Sequence, residues 1–175
     1  PEWSYSQMKA IITDGIDYAV ATKRGLLPQP AGKAIDVGQL AHGELLKQGT
    51  SSQFVVSPYS DFRTKEAREW KAEQALPIIT ENDFEQLNGI CEAVKTHPLY
   101  EALLCGDGIE NEKPLFAKVN GIDIRGKADS IRKLDNGGYV ICDLKTTAQF
   151  SDWKYKAYRM CYDLQAANYT ALTGN

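Results

Sequence analysis

Gly126-Lys127-Ala128-Asp129 is followed, twelve residues after its aspartate, by Ile141-Cys142-Asp143-Leu144-Lys145-Thr146-Thr147. On a strand, residues two apart share a face, so Asp143 and Lys145 point the same way. Asp129, on a neighbouring strand, can then sit beside them. Two carboxylates and an ammonium in an apolar sheet are stable only when paired or bound to metal. Carboxylate oxygens completed by waters and a substrate phosphate are the donor set of Mg2+, with Mn2+ able to substitute. Such a metal lowers the pKa of a bound water, and Lys145 can orient that water or offset charge in the transition state. Strand-borne Asp and Lys two apart are also an ordinary pair of surface charges, so the elements around them have to decide.

Geometry sets a condition on this site. A two- or four-residue loop centred on Asn136-Gly137 pairs positions summing to 273, which puts Asp129 opposite Leu144 and on the wrong face. An odd-length loop or a bulge is required, for example three residues with a glycine in the left-handed conformation. Gly137-Gly138 can supply it.

The first hundred residues read as helical. Ser4 or Ser6 can cap a segment through Met8, Ile11, Ile12, Ile16 and Val20. Pro28-Gln29-Pro30 and Gly32 then break the chain, and a helix from about Ala34 to Gln48 carries Val37, Leu40, Ala41, Leu45 and Leu46. Gln53-Phe54-Val55-Val56 is a strand candidate. Helices are expected at about 62–75 and 81–96, with a short one started by Pro98 after His97. Near residue 112 the texture changes to three strands: Pro114 to Asn120, Ile122 to Leu134 and Gly138 to Thr146. Asn120-Gly121 is a hairpin signal between the first two. Asp152 to Thr173 reads as one helix with Tyr155, Tyr158, Tyr162 and Tyr169; these could stack on unpaired bases, although their helical spacing favours packing. The pattern is one α/β or α+β domain.

Composition mainly excludes. The 175 residues suffice for one domain with a sizeable core, and 43% hydrophobic with 25% charged is a globular balance. No apolar run is long enough to span a bilayer, and no N-terminal stretch resembles a signal peptide. Cys91, Cys105, Cys142 and Cys161 are spread without zinc or iron–sulfur spacing, which reads as reduced thiols. The net charge of −3 by itself argues against a nucleic-acid partner. Its distribution reverses that: residues 1–112 hold 10 Lys+Arg and 17 Asp+Glu, whereas residues 113–175 hold 10 and 6. Lys113, Lys118, Arg125, Lys127, Arg132 and Lys133 crowd around Asp129. Of these, Lys113, Arg125 and Lys127 are candidate DNA contacts.

In order and spacing, these pieces resemble the PD-(D/E)xK nuclease superfamily in its RecB-like branch, where a helix histidine precedes the metal carboxylates and a Q-x-x-x-Y helix follows. Within it they look most like the RecE-type exonucleases, the exonuclease VIII family of phages and prophages. The carrying residues are Ser4-Tyr5-Ser6, Gly38-Gln39-Leu40-Ala41-His42 with Leu45-Leu46, and Phe54-Val55-Val56 with Arg63-Thr64-Lys65. His97-Pro98, Gly108-Ile109-Glu110 and Glu112 continue the pattern, and Gly126-Lys127-Ala128-Asp129, Asp143-Leu144-Lys145-Thr146-Thr147 and Gln165 with Tyr169 complete it.

The resemblance implies a restriction-endonuclease-like α/β core: a central mixed sheet with an antiparallel meander, flanked by helices. It makes His42, Asp129 and Asp143 metal ligands with the Leu144 carbonyl a fourth, Lys145 the catalytic lysine, and Gln165 and Tyr169 orienting residues. Glu112, expected to open the strand, is a supporting carboxylate. The implied activity is Mg2+-dependent degradation of linear double-stranded DNA from the 5′ end, leaving a 3′ single strand for an annealing recombinase. Homo-oligomeric rings and a bacterial host's cytoplasm go with it, and a membrane does not. The alternatives are an endonuclease or junction resolvase on the same fold, a non-catalytic DNA-binding or assembly module, and a metal-binding protein unrelated to DNA. Two features depart from the pattern. Ala128 stands where proline is usual, and a single nuclease domain over 1–175 would lack C-terminal strands that relatives have.

Overall fold

The computed structural model describes residues 2–27, 37–46, 53–147 and 149–174. The element order is β1 (Trp3–Ser4), α1 (Tyr5–Asp14), α2 (Ile16–Lys23), α3 (Val37–Leu46), β2 (Val55–Ser57), α4 (Lys65–Glu73), β3 (Ile78–Thr80) and α5 (Glu81–Lys95). A π-helical turn (Glu101–Cys105) follows, then β4 (Ile109–Val119), β5 (Ile122–Lys133), β6 (Tyr139–Cys142), α6 (Trp153–Arg159) and α7 (Tyr162–Thr173). The chain divides into two compact units, Pro1–Ala31 with Gly108–Asn175, and Gly32–Asp107.

The first unit is built on a four-stranded mixed sheet. Asn120 and Gly121 both take positive φ, +49° and +81°, and turn β4 into β5 as an Asn-Gly hairpin should. β4 covers one edge of β5 along nearly its whole length, from Ile109↔Arg132 to Val119↔Ile122. The opposite edge is shared. β1 runs parallel to β5 at Ile124 and Arg125, and β6 runs antiparallel to it from Ser130 to Lys133. Residues 126–129 occupy the interval between those two partners.

The β5–β6 register satisfies the sequence condition. Ser130 pairs with Cys142 and Lys133 with Tyr139, so paired positions sum to 272 and, carried one residue further, Asp129 faces Asp143. The loop is three residues long: Leu134 N–H donates to Gly138 O at 2.8 Å, Gly137 N–H to Leu134 O at 2.9 Å, and Gly137 has φ +86°. The third strand is shorter than expected and ends at Cys142, not Thr146. Its next ladder position is replaced by a side chain, because Leu144 N–H donates to the Asp129 carboxylate at 2.9 Å. The first strand opens at Ile109, three residues before Glu112.

Two expected single helices are each divided. Ser4 caps α1 through a capping box with Gln7, but Gly15, at φ +92°, ends it and starts α2 in a new direction. Ile12 and Ile16 of the expected apolar stripe are exposed in consequence. The C-terminal helix breaks at Met160-Cys161, with Cys161 in the left-handed conformation. The Tyr5 hydroxyl donates to both carbonyls at this break, Met160 O and, at 3.2 Å, Cys161 O. Burial pushes the Tyr5 phenol up to about 12, so it stays a donor through neutral pH. Above pH 10 an unfolded tyrosine ionises before this one does, and stability is lost as pH rises toward 12. Tyr5→Phe is expected to cost about 1 kcal/mol at pH 7 and to flatten that alkaline loss, as read by denaturant melts at pH 7 and across pH 10–12.

α7 closes the core of this unit. Ile124, Ala128 and Ile131 of β5 are buried with Tyr169 and Leu172 of α7, and Trp3, Met8 and Leu115 pack around them.

The second unit pairs β2 with β3 in parallel, from Val55↔Ile78 to Ser57↔Thr80. β3 was not legible as a strand; its three residues end where Thr80 caps α5. Leu40, Ala41, Leu45 and Leu46 of α3 are buried, as the periodicity implies. A short helical segment does follow His97-Pro98: Pro98 lies in the turn closed by Tyr100 N–H on His97 O at 2.9 Å, Leu103 N–H donates to Leu99 O at 3.0 Å, and the π-helical residues run Glu101–Cys105. The break at Pro28-Gln29-Pro30 and Gly32 and the outer ends of the Ala34–Gln48 helix lie outside the described residues. Among the described residues no helix is long and apolar enough to cross a membrane.

Candidate active site

The site forms where β6 gives way to irregular chain and α7 packs beneath it. Asp143 is its centre. One carboxylate oxygen accepts from Gln165 Nε2 and from the Tyr169 hydroxyl, each at 2.8 Å, and the other pairs with Lys145 Nζ. Gln165 and Tyr169 stand four apart on α7, which puts them on one helix face, and Gln165 Nε2 also reaches the Tyr169 hydroxyl at 3.3 Å. That hydroxyl lies 3.1 Å from Lys127 O as well. Its single proton serves the shorter, charge-assisted bond to Asp143.

The electrostatics keep these groups in working forms. Burial pushes the Tyr169 phenol up, the Gln165 hydrogen bond pulls against it, and the Asp129 and Glu112 charges add to the rise. The phenol therefore stays protonated and donates. Burial pulls the Lys145 ammonium below its ordinary value, while the Asp129 charge opposes that shift. Asp129 is nearly buried and is held by Leu144 N–H.

Glu112, expected as a supporting carboxylate, sits across from Asp129 in the β4–β5 register but skips its ladder pair. It does so through a left-handed backbone, φ +55°, and its carboxylate pairs with Lys127. Lys113 pairs with Glu110 at 2.5 Å. Two of the three cations singled out for DNA are thus locally neutralised, while Arg125 is exposed on β5. His42 lies half-buried on α3 in the second unit. Sequence reading passed over two aromatics. A cavity of about 380 Å³ is lined by Asp143, Lys145, Tyr139, Ile141, Trp153 and Tyr162, together with Gln165 and Tyr169. Tyr139 was findable, since Tyr139, Ile141, Asp143 and Lys145 alternate along one strand direction. Nothing in the spacing marks Trp153.

A family described as a PDDEXK-like domain of unknown function (DUF3799) matches residues 4–174. The chain belongs to this PDDEXK-like family. The match spans both units and carries the chain into the PD-(D/E)xK nuclease superfamily, whose members typically use divalent metals. No curated protein and no solved structure matches the chain. The donor chemistry of this PDDEXK-like domain suits such an ion: Asp129 and Asp143 are hard oxygen donors on adjacent chain segments, with the Leu144 carbonyl between Asp143 and Lys145. Among the described residues no three or more His, Cys, Asp and Glu are grouped around a common point. One or two carboxylates completed by waters and substrate phosphate are how Mg2+ is ordinarily held.

Proposed function

We propose that this PDDEXK-like domain is a metal-dependent exodeoxyribonuclease that degrades linear duplex DNA from 5′ to 3′. Its product is a 3′ single strand for an annealing recombinase of a phage or prophage in a bacterial cytoplasm, and it works as a homo-oligomer, with a ring as one form. The observation that carries the phosphodiesterase chemistry is the Asp143 carboxylate, bonded at once to Lys145, Gln165 and Tyr169 and adjoining the Asp129–Leu144 contact. Exonuclease polarity and recombination rest on the RecE-type resemblance.

Asp129, Asp143 and the Leu144 carbonyl are the proposed ligands of Mg2+, or Mn2+ in its stead, and His42 is proposed as a ligand on the resemblance alone. When bound, the metal supplies an activated water and neutralises phosphate charge. Lys145 faces the attacked phosphate, where its ammonium orients the water and offsets charge in the transition state. Gln165 and Tyr169 fix the Asp143 carboxylate, so its geometry costs no reorganisation during the reaction. Arg125, Lys113 and Lys127 steer the DNA backbone, the two lysines by exchanging a glutamate for a phosphate.

The test is incubation of the full chain with linear and covalently closed circular duplex DNA in Mg2+ or Mn2+. Loss of the linear form only, with a 5′ label released before a 3′ label, is expected. Nicking of the circle would make it an endonuclease, and binding without cleavage a non-catalytic module. Tyr169→Phe keeps the ring in the core but frees Gln165 and Asp143 from their shared partner. Cleavage is expected to fall about tenfold and stability by about 1 kcal/mol, measured by single-turnover assay and thermal melt.

A further inference from the structure

The cavity beside Asp143 and Lys145 is more than a metal recess. Its walls include Tyr139 from β6, Trp153 from the start of α6 and Tyr162 from the start of α7. Trp153 and Tyr162 rings lie 5.6 Å apart at 38°, and Lys145 Nζ stands 5.2 Å from the centre of the Tyr162 ring. The phosphodiester chemistry and an aromatic wall therefore share one space. At about 380 Å³ that space lies at the small end of ligand pockets, suited to one nucleotide and not to a stacked duplex.

We propose that this cavity takes a single unpaired nucleobase, that of the nucleotide next to the attacked phosphate, stacked on Trp153 with Tyr162 backing it. The proposal rests on the phosphodiesterase reading and deepens it: the substrate in contact with the site is a frayed or single-stranded end. Asp143 and Lys145 line the same cavity as Trp153 and Tyr162, so a base that enters it with its phosphate at those two groups has left its stack.

The polar groups around the cavity point to a base site without sequence preference. Thr170 donates its hydroxyl to Ala166 O at 3.1 Å and Thr173 to Tyr169 O at 3.0 Å, so their protons are spent on the helix. Gln165 Nε2 is engaged by Asp143 and Tyr169. What remains is aromatic face and aliphatic surface from Ile141 and Ala166, with the Tyr139 and Tyr162 hydroxyls and the Trp153 indole N–H at the ring edges. Stacking of that kind accepts any base, since every base has a π-face. An enzyme that consumes DNA from an end meets every base in turn and needs such tolerance.

The experiment uses the full chain in Ca2+ with single-stranded oligonucleotides carrying 2-aminopurine at the 5′-terminal or an internal position, followed by cleavage of blunt and frayed duplexes in Mg2+. The wild type is expected to quench the terminal base and not the internal one, and to cleave frayed ends faster than blunt ends. Trp153→Leu is expected to lose that quenching and to weaken binding by about 5- to 150-fold, the range for one base–aromatic contact. Trp153→Phe should keep both within about threefold. The slope of affinity against salt should stay constant in all three, because no phosphate contact is lost.

Cleavage with no terminal quenching by the wild type overturns the base site and leaves the phosphodiesterase reading standing. Unchanged binding by a folded Trp153→Leu does the same. Terminal quenching without cleavage in Mg2+ or Mn2+ overturns the phosphodiesterase reading and leaves the base site. Neither quenching nor cleavage overturns both. The wild-type comparison of terminal and internal positions decides the matter even if Trp153→Leu does not fold.

Discussion

Asp143→Ala is expected to reduce cleavage of linear duplex DNA on the order of 10³-fold, the scale of losing a pre-organised charged group at a reacting centre. The carboxylate is bonded to three side chains, Lys145 in the segment after β6 and Gln165 and Tyr169 on α7. Its removal leaves a half-buried ammonium without that counter-charge and two helix groups without their acceptor. A stability loss of about 1–3 kcal/mol should therefore accompany the loss of activity. Asp143→Asn separates the two effects. The amide keeps the shape and can still accept from Tyr169, so its melting temperature should sit closer to wild type while activity stays lost with the charge. Single-turnover digestion of end-labelled DNA and thermal melts of both variants check this. If Asp143→Asn retains wild-type rates, Asp143 is not part of the chemistry.

The second large effect is expected at a residue with no side chain of its own, Gly126. A Cβ placed there would lie 2.6 Å from Leu172 Cδ1, with Asn168 Nδ2 at 3.4 Å and Tyr169 Cε1 at 3.8 Å. Leu172 is itself buried against Ile124 and Ala128, so its methyl has little room to turn away. Gly126→Ala asks for one such adjustment, whereas Gly126→Val adds two further methyls at the same contact. Overpacking of this sort costs about 1–3 kcal/mol, several degrees of melting temperature in a domain of this size. The helix pushed away is α7, which carries Gln165 and Tyr169 to Asp143. Gly126→Val should thus lose cleavage as well as stability, although it touches neither metal ligand nor substrate. Retained cleavage at a lowered melting temperature would mean that α7 can shift without disturbing Asp143.

How much of this was readable from the chain depended on how local each cause was. Asn120-Gly121 announced its hairpin because the turn chemistry is complete within two residues. The odd β5–β6 register could be stated only as a requirement, since loop length is undefined until the first pair is known. The end of β6 at Cys142 was hidden, because what replaces the ladder is the carboxylate of Asp129 fifteen residues upstream of Leu144. The break at Cys161 was hidden for a like reason: it is held by Tyr5, more than 150 residues away. Lys113 and Lys127 were counted as DNA cations, but counting by sequence cannot see that folding brings Glu110 and Glu112 onto them. That Lys145 meets Asp143 was legible from a two-residue alternation, and that Gln165 and Tyr169 meet it was implied by the Q-x-x-x-Y resemblance, because such spacings survive any detail of packing.

The three-residue loop Asp135-Asn136-Gly137 carries a consequence for how this sequence can change over time. Surface loops usually absorb single insertions and deletions freely. Here the three-residue turn fixes Leu134 and Gly138 as the closing pair and with them every pair below, including the one that brings Asp143 opposite Asp129. While the turn keeps its three-residue form, a gain or loss of one residue slips the register and inverts that strand or forces a compensating bulge, whereas a change of two restores the original facing. Length variation at this exposed hairpin should therefore be filtered by evenness, as though a remote loop tip were part of the chemistry.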